Sequence, residues 1–171
     1  NARDNYGITA FMWACNWGEI DVVKLLLEHS DIIDLNAKNI DGLTAFMWTC
    51  VKGHKDVVQL LLDYSEKIDL NARDNAGVTA FMCACDSGDS DVVQLLLDHS
   101  SKNIELNAQS YYGMTAIMYA CLVGGQTDVV QLLLDCPEIQ LHIRHNDGKT
   151  AFGLACSQGH NDIVQLFLNA P

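Results

Sequence analysis

Dense apolar blocks return along the chain at a nearly fixed spacing. They read Val22-Val23-Lys24-Leu25-Leu26-Leu27, Val57-Val58-Gln59-Leu60-Leu61-Leu62, Val92-Val93-Gln94-Leu95-Leu96-Leu97, Val129-Val130-Gln131-Leu132-Leu133-Leu134 and Ile163-Val164-Gln165-Leu166-Phe167-Leu168. Polar residues bracket each block, so the pattern predicts a short helix at each, the first from about Glu19 to Glu28. Five apolar residues in six are too dense for a lone surface helix, which needs only one apolar stripe; neighbours must cover both flanks. A second helix is predicted ahead of each block, such as Ala10 to Trp17, entered through a recurring Gly-x-Thr-Ala step at Gly7, Gly42, Gly77, Gly113 and Gly148. The Thr sits where an N-cap belongs, its hydroxyl accepting from an orphan backbone N–H for about 1 kcal/mol. Gly18, Gly53, Gly88 and Gly159 follow as stops, because glycine enters the left-handed conformation without a steric penalty. After each second helix, Ile-Asp-Leu-Asn-Ala-Arg and its variants lead back to the next turn as an extended finger.

Pairs of helices with a finger therefore make one unit. The units run 1–35, 36–70, 71–106, 107–141 and 142–171 within a single domain, 1–171. The first four open with Asn1, Asn36, Asn71 and Asn107; the fifth opens with His142. So small a unit cannot bury its apolar face alone. Stacked copies share one core, and stability becomes a sum over nearest neighbours.

The pattern resembles the ankyrin repeat over the whole chain. The family signature Thr-Pro-Leu-His-x-Ala-Ala, then Gly-His, then Val-Val-x-Leu-Leu-Leu stands here as Thr44-Ala45-Phe46-Met47-Trp48-Thr49-Cys50, Gly53-His54 and Val57 to Leu62. The resemblance implies an all-α ankyrin-repeat solenoid of stacked helix-turn-helix units with projecting β-hairpin fingers. Departures are consistent between units. Ala10, Ala45, Ala80, Ala116 and Ala151 replace the family Pro, at little cost in the first helical turn. Met12, Met47, Met82, Met118 and Gly153 replace the family His, so adaptable packing is expected where that His would tie loops together. Extra residues at Ser101-Lys102 and within Gly124-Gly125-Gln126-Thr127 are expected to form bulges in surface turns.

Charge narrows the partners. Ten Lys and Arg stand against 22 acids, a net charge of −12. Phosphate backbones are held by Lys and Arg, so neither nucleic acid nor an anionic membrane surface is expected. A basic or amphipathic protein segment fits that charge. Catalytic constellations are missing: there is no phosphate loop, nucleophile elbow or zinc-hydrolase helix, so no enzyme and no cofactor are expected. Cys15, Cys50, Cys85, Cys121 and Cys156 occupy one unit position and are expected as five buried free thiols, with Cys136 the exposed one. Neighbouring helices about 8–10 Å apart exceed the reach of a disulfide. Free thiols imply a reducing, intracellular setting, cytoplasmic or nuclear. His54 and His160 occupy the structural Gly-His position, His29 and His99 suit helix C-termini, and His142-x-x-His145 lacks companions for a metal.

Binding should use the positions that change between units. The residue after Met is Trp13, Trp48, Cys83, Tyr119 and Leu154, off the core face that Phe11 and Cys15 define. Trp17 and Leu122 follow on the same exposed side, and the fingers carry Tyr6, Tyr111 and Tyr112. In ankyrin-like proteins these positions line the concave face. The expected function is partner binding through Trp13, Trp17, Trp48, Tyr6, Tyr111, Tyr112, Tyr119 and Leu122, since aromatics carry much of the energy at interfaces. The resemblance also implies asparaginyl hydroxylation at Asn36, Asn71 and Asn107, within Leu-Asn-Ala fingers; the alternative is that each Asn bonds its own turn. A spacer or self-associating segment of a longer array is the other functional reading, with a monomer as the default and end-to-end contact as the alternative.

Overall fold

A computed structural model describes residues 2–100 and 103–170. Asn1 at the head of the first unit, the Ser101-Lys102 insertion and Pro171 lie outside the described residues. Ten helices are described: α1 (Ala10–Trp17), α2 (Ile20–Glu28), α3 (Ala45–Lys52), α4 (Lys55–Asp63), α5 (Ala80–Ser87), α6 (Ser90–Asp98), α7 (Ala116–Leu122), α8 (Thr127–Leu134), α9 (Ala151–Gln158) and α10 (Asn161–Asn169). The odd-numbered helices stack on one another as one layer and the even-numbered ones as a second. The core runs continuously between the layers.

Capping chemistry sets the helix ends. The Thr9, Thr44, Thr79 and Thr150 hydroxyls accept from the N–H of Met12, Met47, Met82 and Gly153. Gly18, Gly53, Gly88 and Gly159 close the same helices at φ between 70° and 79°. The fourth unit departs. Its extra residue leaves α7 one residue short, ending at an extended Val123 and turning through Gly125 at φ 84°. At its start the Met118 N–H donates to the Thr115 carbonyl at 3.0 Å, and the Thr115 hydroxyl is left without a partner.

Met12, Met47, Met82 and Met118 are buried, so packing does replace the family His at that position. The Cys ladder is buried at Cys15, Cys50, Cys85 and Cys121 but not at Cys156. Cys156, in α9 of the fifth unit, is exposed. Cys136 is only half-buried, its thiol donating to Glu138 Oε2 at 3.0 Å, so Cys156 rather than Cys136 is the exposed thiol. Burial pushes the Cys15, Cys83 and Cys121 thiols up to about 12, and those of Cys50 and Cys85 well above their usual value. Nucleophilic thiolate is therefore suppressed along the ladder. Iodoacetamide at neutral pH is expected to alkylate Cys156 first, Cys136 more slowly, and the other five only after denaturation, as read by peptide mass spectrometry.

The fingers are tight turns, with a single antiparallel bridge at Arg3–Thr9 and no longer strand among the described residues. Each finger is tied to the next by backbone: Ile40 N–H to Tyr6 O, Asn75 to Asp41, Tyr111 to Ala76 and Asn146 to Tyr112, at 2.9–3.1 Å.

Candidate protein-binding surface

Three ladders of side chains hold the fingers in register, and two of them escape a reading of the residues one at a time. Arg3 Nη1, Lys38 Nζ, Arg73 Nη1 and Gln109 Nε2 donate in turn to the carbonyls of Lys38, Arg73, Gln109 and Arg144 in the following finger. The signal was a long donor at the third position of every unit. At the second ladder, His54 Nε2 lies 2.9 Å from the Asn16 carbonyl and His160 Nε2 3.1 Å from that of Leu122, contacts in which the ring nitrogen donates. Gln126 makes the equivalent bond to Asp86 O at 2.8 Å. Asp89, at the same position, instead caps its own helix by accepting from Val92 N–H.

The third ladder is the finger asparagines. Asn36 donates to Lys67 O and accepts from Asp69 N–H; Asn71 serves Asn103 and Glu105, and Asn107 serves Glu138 and Gln140, all at 2.6–2.9 Å. Each amide thus crosses to the next unit rather than bonding its own turn. With two bonds of about 0.5–1.5 kcal/mol each, Asn71→Ala is expected to lower unfolding free energy by about 1–3 kcal/mol in a urea titration.

On this frame the varying residues after Met range from Trp13, partly exposed, to Cys83 and Leu154, which are buried. Tyr119, on a first helix, lies beside the Ser110 side chain at the base of a finger. Burial pushes its phenol up, against the opposing pull of that side chain. Trp13 is the hub of an aromatic cluster. It stacks on Trp17 at 6.4 Å between ring centroids and 12° between planes, and meets Trp48 edge-on at 5.9 Å and 66°. Trp13 is 40% exposed and Trp17 67%, while Trp48 is half-buried. Exposed indole at this density is unusual on a surface with no ligand, since aromatics otherwise hide most of their area.

The candidate residues do not all meet. Trp13, Trp17 and Trp48 cluster in units 1 and 2, with Tyr6 exposed on the first finger. Tyr119 and Leu122, both half-buried, belong to α7, and Tyr111 and Tyr112 are exposed on the finger before it. The Tyr111 ring rests close over Gly77 of the preceding finger, so it has a packing role as well. Between the two groups the row passes through Cys83, which is buried and breaks the exposed surface. Beside it lies the exposed Asp86, whose carboxyl partial desolvation pushes up. Asp74 and Asp86 both lie near Cys83 and Tyr119, so this stretch of the surface is acidic.

Among the described residues, no group of three or more His, Cys, Asp or Glu side chains is placed to hold a metal. His145 is instead tied locally, its Nδ1 accepting from Asp147 N–H at 3.0 Å. No described helix is long and apolar enough to cross a membrane.

Comparison with known proteins gives a consistent result. A family model described as ankyrin repeats matches residues 31–110, 66–144 and 82–171, and a model of the single ankyrin repeat matches 6–40. An ankyrin repeat protein of Rickettsia bellii is 38% identical over 56 residues, covering 33% of this chain and 57% of the relative. The photoreceptor ankyrin repeat protein of Homo sapiens is 42% identical over 57 residues, covering 33% of this chain and 12% of that protein. The matched segment thus spans less than two thirds of either relative.

Proposed function

The chain belongs to the ankyrin-repeat family, and from that premise we propose that it is a non-catalytic module that binds a segment of another protein on the face shared by its first helices and finger tips. Ankyrin repeats generally mediate protein–protein interaction. The observation that carries the reading is the exposed cluster of Trp13, Trp17 and Trp48. It is held by a rigid helix layer and flanked by fingers in fixed register, so little ordering cost remains for binding. Tyr6, Tyr111, Tyr112, Tyr119 and Leu122 extend the surface along the array. Its free thiols suit a reducing, intracellular compartment.

The reading is tested on peptides selected from a random-sequence display library against the intact chain. Trp13→Ala/Trp48→Ala is expected to weaken their binding by about 30-fold or more, the loss of an interface anchor worth about 2 kcal/mol. Circular dichroism checks that the fold is kept, because Trp13 is exposed but Trp48 packs against the core. Unchanged affinity sinks the reading.

The outward faces of the outermost described units favour a second reading, stacking against another repeat of the same kind. Val22 is 45% exposed where its equivalent Val57 is 1%, and Leu168 is 66% exposed where Leu27 is 1%. If copies of this chain stack, light scattering shows a mass that rises with concentration, and Val22→Glu or Leu168→Glu abolishes the rise. A constant mass excludes self-association. Asparaginyl hydroxylation of Asn36, Asn71 and Asn107 is a separate proposal, checked by an added oxygen in mass spectra after exposure to the enzyme.

A further inference from the structure

We propose that protonation of His145 unlatches the tip of the fifth finger, which makes this finger the acid-sensitive one of the array.

Each finger turn closes on one side-chain acceptor at a fixed position. Asp4 Oδ1 accepts from Tyr6 and Ile8 N–H, Asn39 Oδ1 from Asp41 and Leu43, and Asp74 Oδ1 from Ala76 and Val78. Ser110 Oγ accepts from Met114 N–H at 3.2 Å. In the fifth finger the acceptor is an imidazole, and His145 Nδ1 takes the Asp147 N–H at 3.0 Å. A ring nitrogen that accepts carries no proton, so this ring is neutral with its proton on Nε2. That Nε2–H is shielded from solvent and has no partner among the described residues. The side chain as a whole is only 9% exposed.

Imidazole is the one acceptor among the five that takes up a proton between about pH 5 and 8. Protonation turns Nδ1 into a donor aimed at the Asp147 N–H. It leaves a shielded cation whose two N–H groups both lack an acceptor, which is costly. The charged groups of its own finger are Arg144, Asp147 and Lys149, with His142 at the finger's start. Arg144 is engaged with the Gly148 carbonyl at 2.6 Å, and both bases oppose a further positive charge. The Asp147 carboxylate stands 3.9 Å from Nδ1 with its side chain 90% exposed, so the imidazolium reaches it by swinging outward. The fourth finger lies against His145 with Gly113 and carries Tyr111 and Tyr112. Neither α7 nor α9 carries a charged residue; Tyr119, Cys121 and Cys156 are their titratable groups. No carboxylate on these elements holds the charged ring in place.

The tip follows the ring. Asn146 comes directly after His145, and it donates from its N–H to Tyr112 O at 3.1 Å and from Nδ2 to Tyr111 O at 3.0 Å. Turning the ring outward displaces Asn146 and loosens both bonds. The change therefore reaches the two exposed tyrosines of the fourth finger.

Amide hydrogen exchange followed by NMR, corrected for the intrinsic pH dependence of exchange, tests this on the intact chain. Protection of Asn146 in wild type is expected to fall about fivefold between about pH 7.5 and 5.5, the scale of one net hydrogen bond. Asn75 is the matched control, because its N–H makes the equivalent bond to Asp41 O. Its protection should hold. His145→Asn supplies the amide that Asn39 places at this position, and His145→Asp the carboxylate of Asp4 and Asp74. Both variants are expected to keep Asn146 protected at either pH. Equal protection of Asn146 at the two pH values in wild type overturns the inference. So does a fall that persists in either variant, or one matched at Asn75.

Discussion

Phe81→Ala should lower the unfolding free energy by about 3–5 kcal/mol, the usual cost of emptying a large buried aromatic site. Phe81 is 2% exposed in α5, which packs against α3 on one side and α7 on the other. The cavity therefore touches both junctions of the central unit. In a one-dimensional array, coupling between neighbours carries cooperativity, so weakening the middle divides the stack. The expected urea transition is both earlier and broader, as the flanking pairs of units begin to melt separately. Phe152, its equivalent in unit 5, is 38% exposed and faces a single neighbour. Phe152→Ala should cost less than half as much and leave the transition sharp. Equal losses at the two sites would contradict the nearest-neighbour picture.

Gly42→Ala should cost about 2–5 kcal/mol, combining left-handed strain of about 1–2 with overpacking of about 1–3. Gly42 has φ 83°, and a Cβ there would stand 2.7 Å from the Asn75 backbone nitrogen and 3.0 Å from the Asp74 carbonyl carbon. Those atoms belong to the next finger and cannot swing aside as a side chain would. The clash falls on the Asn75-to-Asp41 backbone bond that keeps successive fingers in register. Gly148 separates the two contributions. It has nearly the same φ, 84°, but nothing within 4 Å of its Cβ position. Gly148→Ala should therefore show the strain alone, about 1–2 kcal/mol. Similar losses in the two variants would mean that finger contact contributes nothing.

Periodicity carried the helices, their caps and the stacking, because each unit repeats the same local instructions. Thr9 and Gly18 can be read as a cap and a stop from their neighbours alone, and the structure places them so. What escaped was any property set by context beyond the unit. Cys156 matches the buried ladder in sequence, yet burial at that position depends on what packs over it. Thr115 looks like its four counterparts, but in the unit with the extra residue downstream its hydroxyl has no bond. The alternative that each finger asparagine bonds its own turn fails because its partners lie 31 to 34 residues away. At the candidate site, the tryptophans were legible as positions that vary, and their mutual contact follows from adjacent stacking.

The chain has three tryptophans, at 13, 17 and 48, and all three lie in the one cluster. Their emission therefore reports on the proposed site and nowhere else. Acrylamide quenching of that emission, with and without a saturating library-selected peptide, tests most directly where the partner docks. The account predicts a blue shift and clear protection from acrylamide on binding. A saturated complex whose tryptophan emission and quenching match the free chain would contradict it.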